Sequence, residues 1–132
     1  MGTSWDRLVA LHSRIEQELA RALTPFDLGL SEYRALSRLA VAPHGELRMQ
    51  NLAEAIGLNQ SSVSRLVARL DQADLTARTM CADDRRGIYS AITAHGRERQ
   101  SAAEPAYEAA LEAALDLAAG DPDLADLVAT LR

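Results

Sequence analysis

The 132-residue sequence has little of what defines several other classes of protein. Aromatic residues make up only 4%, and there is one cysteine, Cys81, which excludes an internal disulfide. Cys81 has two open interpretations, a small packing residue or a redox-sensing thiol close to Arg85 and Arg86. No apolar run approaches the roughly 20 residues that cross a bilayer, and the N-terminus lacks the pattern of a secretory signal. The sequence therefore predicts a cytoplasmic protein with no membrane segment.

Recognisable catalytic and metal-binding motifs are also missing. We find no Ser/His/Asp or Cys/His arrangement, no glycine-rich phosphate loop and no paired carboxylates in a context that would support catalysis. His44 and His95 have no cysteine or carboxylate at ligand spacing. We therefore expect a protein that is not an enzyme and that uses no cofactor and no metal.

Charge is distributed unevenly along the chain, although its length fits a single domain, residues 1–132. The net charge is −5, and all 14 basic residues are arginine. Residues 1–47 carry five Arg and six acids (net −1), residues 48–99 eight Arg and six acids (net +2), and residues 100–132 one Arg and seven acids (net −6). Because phosphate contacts need cations, the middle of the chain is the part suited to nucleic acid.

Apolar residues spaced three or four apart predict helices at both ends of the chain. The first runs over residues 4–23, with Ser4 as its N-cap and Trp5, Leu8, His12, Ile15, Leu19 and Leu23 as its apolar stripe. A second helix runs from a Ser31 cap to about Ala42. Thr93 caps a long segment that reaches Ala119, and a short helix follows from Pro122 to Leu131. Pro105 allows either one kinked helix or two helices.

The stretch MQNLAEAIGLNQSSVSRLVARLDQADL predicts two short helices joined by a tight turn. Gly57 suits a positive φ in the turn, and Asn59 is placed to cap the second helix. Val63, Leu66, Val67 and Leu70 form the inward stripe of that helix. Its outward face is polar and cationic, which suits entry into the major groove of DNA. We predict as DNA-binding residues Gln60, Ser61, Ser62, Ser64, Arg65 and Arg69.

A β-hairpin is predicted after Asp74, because LTARTM and IYSAIT have strand character and the CADDRRG between them is turn-rich. Arg85 and Arg86 in this loop suit contact with a narrow minor groove or with phosphates. The sequence does not distinguish their roles, although we favour Arg86 for the minor groove. Asp84 is interpreted as a support that braces an arginine. A solvated hairpin tip is the alternative interpretation.

The order of these elements and their motifs resembles the MarR family of bacterial transcriptional regulators. The resemblance covers roughly residues 5 to 118. It lies in Leu30-Ser31, Leu52-Ala53, the Val-Ser-Arg-Leu-Val core of residues 63–67, the wing signature Asp84-Arg85-Arg86, and the Ile-Thr-x-x-Gly of residues 92–96. The sequence departs from the family's pattern at Pro105 and in its short C-terminal tail.

The resemblance implies a mainly α fold with a small β-hairpin wing, in which a winged helix-turn-helix lobe is joined to a helical dimerisation region. The lobe is expected at residues 30–92 and the dimerisation region at residues 1–24 and 93–132. The expected function is a homodimeric repressor that binds an inverted-repeat operator in double-stranded DNA. Release by a small aromatic or lipophilic effector is also implied. His12 and Tyr33 are candidates for lining an effector pocket, with ordinary packing as the alternative.

A rival hypothesis is a winged helix that serves as a protein-interaction module and does not bind DNA directly. The net charge of −5 is its best support. A DNA binder differs from such a module in that its affinity falls linearly with the logarithm of salt concentration.

Overall fold

The structure is a computed structural model that describes residues 3–80 and 88–132. The chain divides into two compact units. One combines the chain up to Leu30 with Ala103–Arg132, and the other is Ser31–Ala102. Within the described residues, no helix is both long and apolar enough to span a membrane. Each unit has its own core, so each is described by itself.

The first unit opens with helix α1, Ser4–Leu23. Its N-cap is Thr3, so the predicted cap at Ser4 is wrong by one residue. The Asp6 amide donates to Thr3 Oγ1 at 3.1 Å, and the Thr3 amide donates to Asp6 Oδ2 at 3.2 Å. This reciprocal capping box satisfies two backbone donors, which favours Thr3 over its neighbour.

The buried face of α1 differs from the predicted stripe. Leu11, Leu19 and Leu23 are buried, whereas Trp5 is 69% exposed. His12 is also exposed, and its Nε2 lies 2.8 Å from Glu16 Oε1 one turn away. The prediction of an apolar stripe through Trp5, Leu8 and His12 is therefore wrong, because the helix turns the face of Leu11 inward.

The rest of the first unit comes from the C-terminal helices α5, Ala94–Ala119, and α6, Ala125–Leu131. Helix α5 is a single helix with Pro105 inside it, which decides between the two alternatives left open by the sequence. Its end packs with α1 and α6 in a core of Leu11, Leu115, Ala118, Leu124 and Val128. The Arg132 guanidinium donates to the carboxylates of Asp116 and Glu112, and the hydrogen bond to Asp116 raises the pKa of Arg132.

The second unit alternates short helices and strands. Helix α2 spans Leu30–Val41, so Ser31 lies in its first turn and does not precede it as the predicted cap. Strand β1, Glu46–Arg48, is followed by helices α3, Met49–Ile56, and α4, Gln60–Gln72. Strands β2, Thr76–Met80, and β3, Ile88–Ile92, confirm the two predicted strands. The antiparallel sheet has the order β1-β3-β2.

Helices α3 and α4 form the predicted helix-turn-helix. Gly57 ends α3 with φ of 73°, a conformation that costs glycine little. Asn59 precedes α4 as its cap and accepts the Ser62 amide at 2.9 Å. The predicted inward stripe of Val63, Leu66, Val67 and Leu70 is fully buried, which leaves the opposite face of α4 to solvent.

The start of α5 is fixed to the end of α4 through Thr93. The Gly96 amide donates to Thr93 Oγ1 at 2.9 Å, which confirms Thr93 as the helix cap. The same hydroxyl donates to the Asp74 carbonyl oxygen at 2.7 Å. The Thr93 amide donates to the Leu75 carbonyl oxygen at 3.1 Å. These hydrogen bonds join the start of α5 to the segment that follows α4.

Candidate nucleic-acid interface

The outward face of α4 carries the polar residues predicted to bind DNA. Five of them are exposed and Ser62 is half-buried. The exposed ones are Gln60, Ser61, Ser64, Arg65 and Arg69. Hydroxyl and amide groups of this kind can reach base edges, and the arginines can reach bases or phosphates.

Hydrogen bonds within the first turn of α4 restrain part of this face. Asn59 Oδ1 accepts from the Ser62 amide and from Ser61 Oγ at 3.3 Å. Ser62 Oγ also accepts from an Arg65 terminal nitrogen at 3.4 Å. The cap therefore orders the two serines and orients Arg65, which reduces the entropy that a DNA contact would have to overcome.

A groove beside α4 has a volume of about 340 Å³, and we call it the α4 groove. Side chains of α4, of the start of α3 and of all three strands line it. These are Arg48, Met49, Gln50, Gln60, Ser64, Arg78 and Ile88. Two arginines and three polar side chains in one concave surface are suited to a polyanion.

Sequence reasoning missed Arg48, Gln50 and Arg78 as members of this surface. Arg48 ends β1, where it is paired with Tyr89 of β3. Its Nε donates to the Tyr89 hydroxyl at 3.3 Å, and its guanidinium carbon lies 5.9 Å from the ring centroid. Strand β1 has only three residues, so no periodic signal indicated which side of the chain Arg48 would face.

Arg78 is held by Asp71 near the C-terminal end of α4. Arg78 Nε lies 3.1 Å from Asp71 Oδ2, and Thr76 Oγ1 donates to Asp71 Oδ1 at 2.6 Å. No signal in the sequence indicated that Arg78 of β2 pairs with Asp71 of α4. This contact connects α4 with the sheet.

The predicted wing tip lies outside the described residues. Asp84, Arg85 and Arg86 belong to that segment, as does Cys81. The flanking strands are described, and they pair from Thr76 with Ile92 to Met80 with Ile88. The roles assigned to the wing residues therefore remain predictions.

The two remaining candidates, Tyr33 and His12, do not line the α4 groove. Tyr33 of the second unit is buried, with 4% of its surface exposed, and His12 belongs to the first unit. Their predicted role in an effector pocket stays a prediction. Among residues 3–80 and 88–132, no group of three or more His, Cys, Asp or Glu side chains is placed to hold a metal ion.

Comparison with known proteins identifies sequence relatives of the chain. The sequence pattern of the MarR family matches residues 26–87, which include the helix-turn-helix and β2. The HTH-type transcriptional repressor MdtR of Bacillus subtilis (strain 168) is 29% identical over 89 residues, which is 67% of this chain. The matched stretch covers 56% of MdtR, so the chain corresponds to little more than half of that repressor's length.

Solved structures resemble the whole chain. AbsC, a MarR family transcriptional regulator from Streptomyces coelicolor, has a TM-score of 0.81 and 28% identity, with coverage of 100% of this chain and 93% of AbsC. Sco3205, a MarR family transcriptional regulator from the same organism solved in complex with DNA, has a TM-score of 0.80 and 26% identity. That match covers 100% of this chain and 87% of Sco3205.

Proposed function

We propose that the chain, which is similar to MarR family regulators, is a member of that family and a sequence-specific DNA-binding transcriptional regulator. The observation that carries the proposal is the exposed polar and cationic face of α4, set beside a groove that contains Arg48 and Arg78. The Sco3205 structure, a relative over the full length of this chain, contains DNA. The α4 face is proposed as the surface that reads base edges.

The roles within this surface follow from position and chemistry. Gln60, Ser61, Ser62, Ser64, Arg65 and Arg69 are proposed to contact the major groove. Arg85 and Arg86 are proposed to reach the adjacent minor groove or phosphates, with Asp84 as their support. The net charge of −5 does not oppose this assignment, because residues 100–132 alone contribute −6, from one Arg and seven acids.

We further propose a homodimer, with residues 30–92 as the DNA-binding lobe and with 1–24 and 93–132 as the dimerisation region. Exposed apolar side chains in the first unit support this. Trp5 is 69% exposed and Leu117 70% exposed, and Leu8, Val9 and Leu131 are exposed too. Several large apolar side chains exposed on one unit are suited to contact with a protein partner. Two copies would place two copies of α4 about 34 Å apart, which requires an inverted-repeat operator.

Repression is the proposed outcome of binding, with release by a small aromatic or lipophilic effector. MdtR, one relative of this chain, is a repressor. The proposal of an effector rests on similarity to the MarR family alone, and His12 and Tyr33 remain its proposed contacts. The test is whether a simple phenol such as salicylate releases a bound DNA duplex. Unchanged DNA binding up to millimolar salicylate would exclude salicylate-like phenols as effectors.

The experiment for DNA binding is a fluorescence anisotropy titration with the intergenic DNA upstream of the gene and with a scrambled duplex of the same length. We expect preference for the intergenic duplex and a linear fall of log K with log salt between about 50 and 200 mM. Equal affinity for both duplexes would contradict a sequence-specific regulator. Absence of any salt-dependent binding would favour the protein-interaction module.

Arg65→Ala tests the α4 face directly. A base contact predicts a loss of affinity of roughly 1 to 3 kcal/mol with relaxed specificity, whereas a phosphate contact predicts mainly a shallower salt dependence. Arg38→Ala is the matched control, because Arg38 is exposed on α2 and does not line the α4 groove. Unchanged affinity and salt slope in Arg65→Ala would exclude Arg65 from the interface.

A further inference from the structure

We propose that Asp71 is a positioning residue for DNA binding, which holds the Arg78 guanidinium at the α4 groove so that Arg78 meets a backbone phosphate. The inference rests on the proposed function. It adds two residues that lie outside the polar outward face of α4. Neither belongs to the short sequence motifs, residues 63–67 and 84–86, that carry much of the resemblance to the MarR family.

The position of Asp71 is unfavourable when the helix is considered alone. It lies in the last turn of α4, Gln60–Gln72, where the helix dipole presents its negative end. A carboxylate at this end is repelled by the unpaired carbonyl groups of the last turn, so it needs partners from elsewhere in the fold. Strand β2 supplies both of them.

The two oxygens of Asp71 have different partners. Oδ1 accepts from Thr76 Oγ1 at 2.6 Å, and Oδ2 accepts from Arg78 Nε at 3.1 Å. Thr76 is buried, with 3% of its surface exposed, so its hydroxyl is a fixed anchor. Because both oxygens are engaged, the carboxylate plane is fixed, and the planar guanidinium paired with it is oriented as well.

Among residues 3–80 and 88–132, the terminal nitrogens of Arg78 have no hydrogen-bond partner. Its Nε bond to Asp71 is the one hydrogen bond that its guanidinium makes to the described residues, and half of its side chain is exposed. It lines the α4 groove together with Gln60 and Ser64 of α4. A long side chain fixed before binding loses less conformational entropy when it meets its partner.

A phosphate is the partner that this geometry favours over a base. Arg78 extends from the sheet beside α4 and not from the outward face of α4. Contacts from elements that flank a recognition helix fix the register of the protein on the duplex, and most of them go to phosphates. Arginine matches phosphate oxygens through paired donors.

The sign of the effect of Asp71→Asn separates positioning from simple electrostatics. The change removes a negative charge close to the DNA, so electrostatics alone predicts tighter binding. Loss of the fixed guanidinium predicts weaker binding, and we expect affinity to fall severalfold. Asp74→Asn is the matched control, because Asp74 lies three residues away and has the same charge, and its φ of 60° is one that Asn tolerates. This control should bind DNA with equal or slightly higher affinity.

Arg78 is tested by two substitutions, measured with the preferred and scrambled duplexes. Arg78→Ala should weaken binding to both duplexes by the same factor and lower the salt slope by about 0.9, the value for one phosphate contact. Arg78→Lys should keep the wild-type slope because it keeps the charge, but it should lose affinity because lysine has no Nε to bind Asp71. Thermal melts identify a temperature at which all variants are folded.

The double variant gives the decisive comparison. In the Arg78→Ala background, Asp71→Asn should no longer weaken binding. The inference is overturned if Asp71→Asn tightens binding as Asp74→Asn does, if it weakens binding equally with and without Arg78, or if Arg78→Ala loses affinity for the preferred duplex alone. A wild-type protein that does not bind DNA would refute the proposed function itself, whereas wild-type binding with unaffected variants would refute this inference alone.

Discussion

At the scale of single residues, position 96 accommodates glycine only, because its backbone packs closely against the backbone of Leu75. A Cβ at this position would overlap the Leu75 carbonyl oxygen and press on Ile92. The oxygen cannot move freely, because it also accepts the Thr93 amide. We expect Gly96→Ala to lower the free energy of unfolding by about 1–3 kcal/mol, as overpacking does, when measured by urea denaturation.

Gly120→Ala is the control for that prediction. A Cβ there has the Leu117 carbonyl oxygen at 3.4 Å as its nearest neighbour, which is an ordinary contact. Its free energy of unfolding should change by less than about 0.5 kcal/mol. Equal stabilities of the two variants would show that the contact at Gly96 is readily relieved.

Ser90 in the central strand is a second residue whose environment predicts a measurable effect. It is fully buried, and its hydroxyl has no hydrogen-bond partner among residues 3–80 and 88–132. Burying an unpaired hydroxyl is costly, so Ser90→Ala should raise the free energy of unfolding by about 1 kcal/mol. Thr76→Val provides the contrast: it removes a buried hydroxyl that is bonded to Asp71, and it should destabilise by about 1–3 kcal/mol. A loss of stability in Ser90→Ala would indicate a hydroxyl partner.

At the scale of elements, the Asn59 cap links the stability of α4 to the order of its DNA-facing turn. Asn59→Ala removes the acceptor of the Ser62 amide and the Ser61 hydroxyl, and should cost about 1 kcal/mol of stability. Asn51→Ala is the matched control, because Asn51 is exposed within α3. Chemical denaturation of both variants checks the prediction, and an equally stable Asn59→Ala protein would mean that water replaces the cap without loss.

The elements also show which parts of the fold the sequence could predict. Helix α4 was predicted with its cap and its buried face, because a long periodic stripe, Gly57 and Asn59 all indicate the same helix. Strand β1 was missed because three residues carry no alternation, and a positive φ at His44 and Gly45 precedes it. The sequence of β3, with which β1 pairs, also gave no indication that a third strand is present.

The candidate site was predictable to the extent that it follows the periodicity of one helix. The outward face of α4 could be read from the buried stripe opposite it. Arg48 and Arg78 were not predictable, because they reach the α4 groove through strand pairing and a tertiary ion pair. Contacts between residues distant in sequence leave no local pattern.

At the scale of the whole molecule, the apolar surface of the first unit gives a test of the proposed dimer. Leu117 is 70% exposed in a single copy, so replacing it with Glu should not disturb the fold of that copy. Within a dimer interface, an unpaired carboxylate would lose its hydration, at a cost of several kcal/mol. We therefore expect Leu117→Glu to raise the dimer dissociation constant by about 100-fold or more, because each 1.4 kcal/mol corresponds to a factor of ten.

Val41→Glu is the matched control, because Val41 is 81% exposed but belongs to α2 of the other unit. Sedimentation velocity over a range of concentrations distinguishes the two variants, and circular dichroism verifies their helical content. The dimer proposal requires Leu117→Glu to be monomeric at concentrations where the wild type and Val41→Glu are dimeric. If all three proteins are dimeric, Leu117 does not lie at the interface. If the wild type is monomeric, the chain does not form a dimer in the absence of DNA.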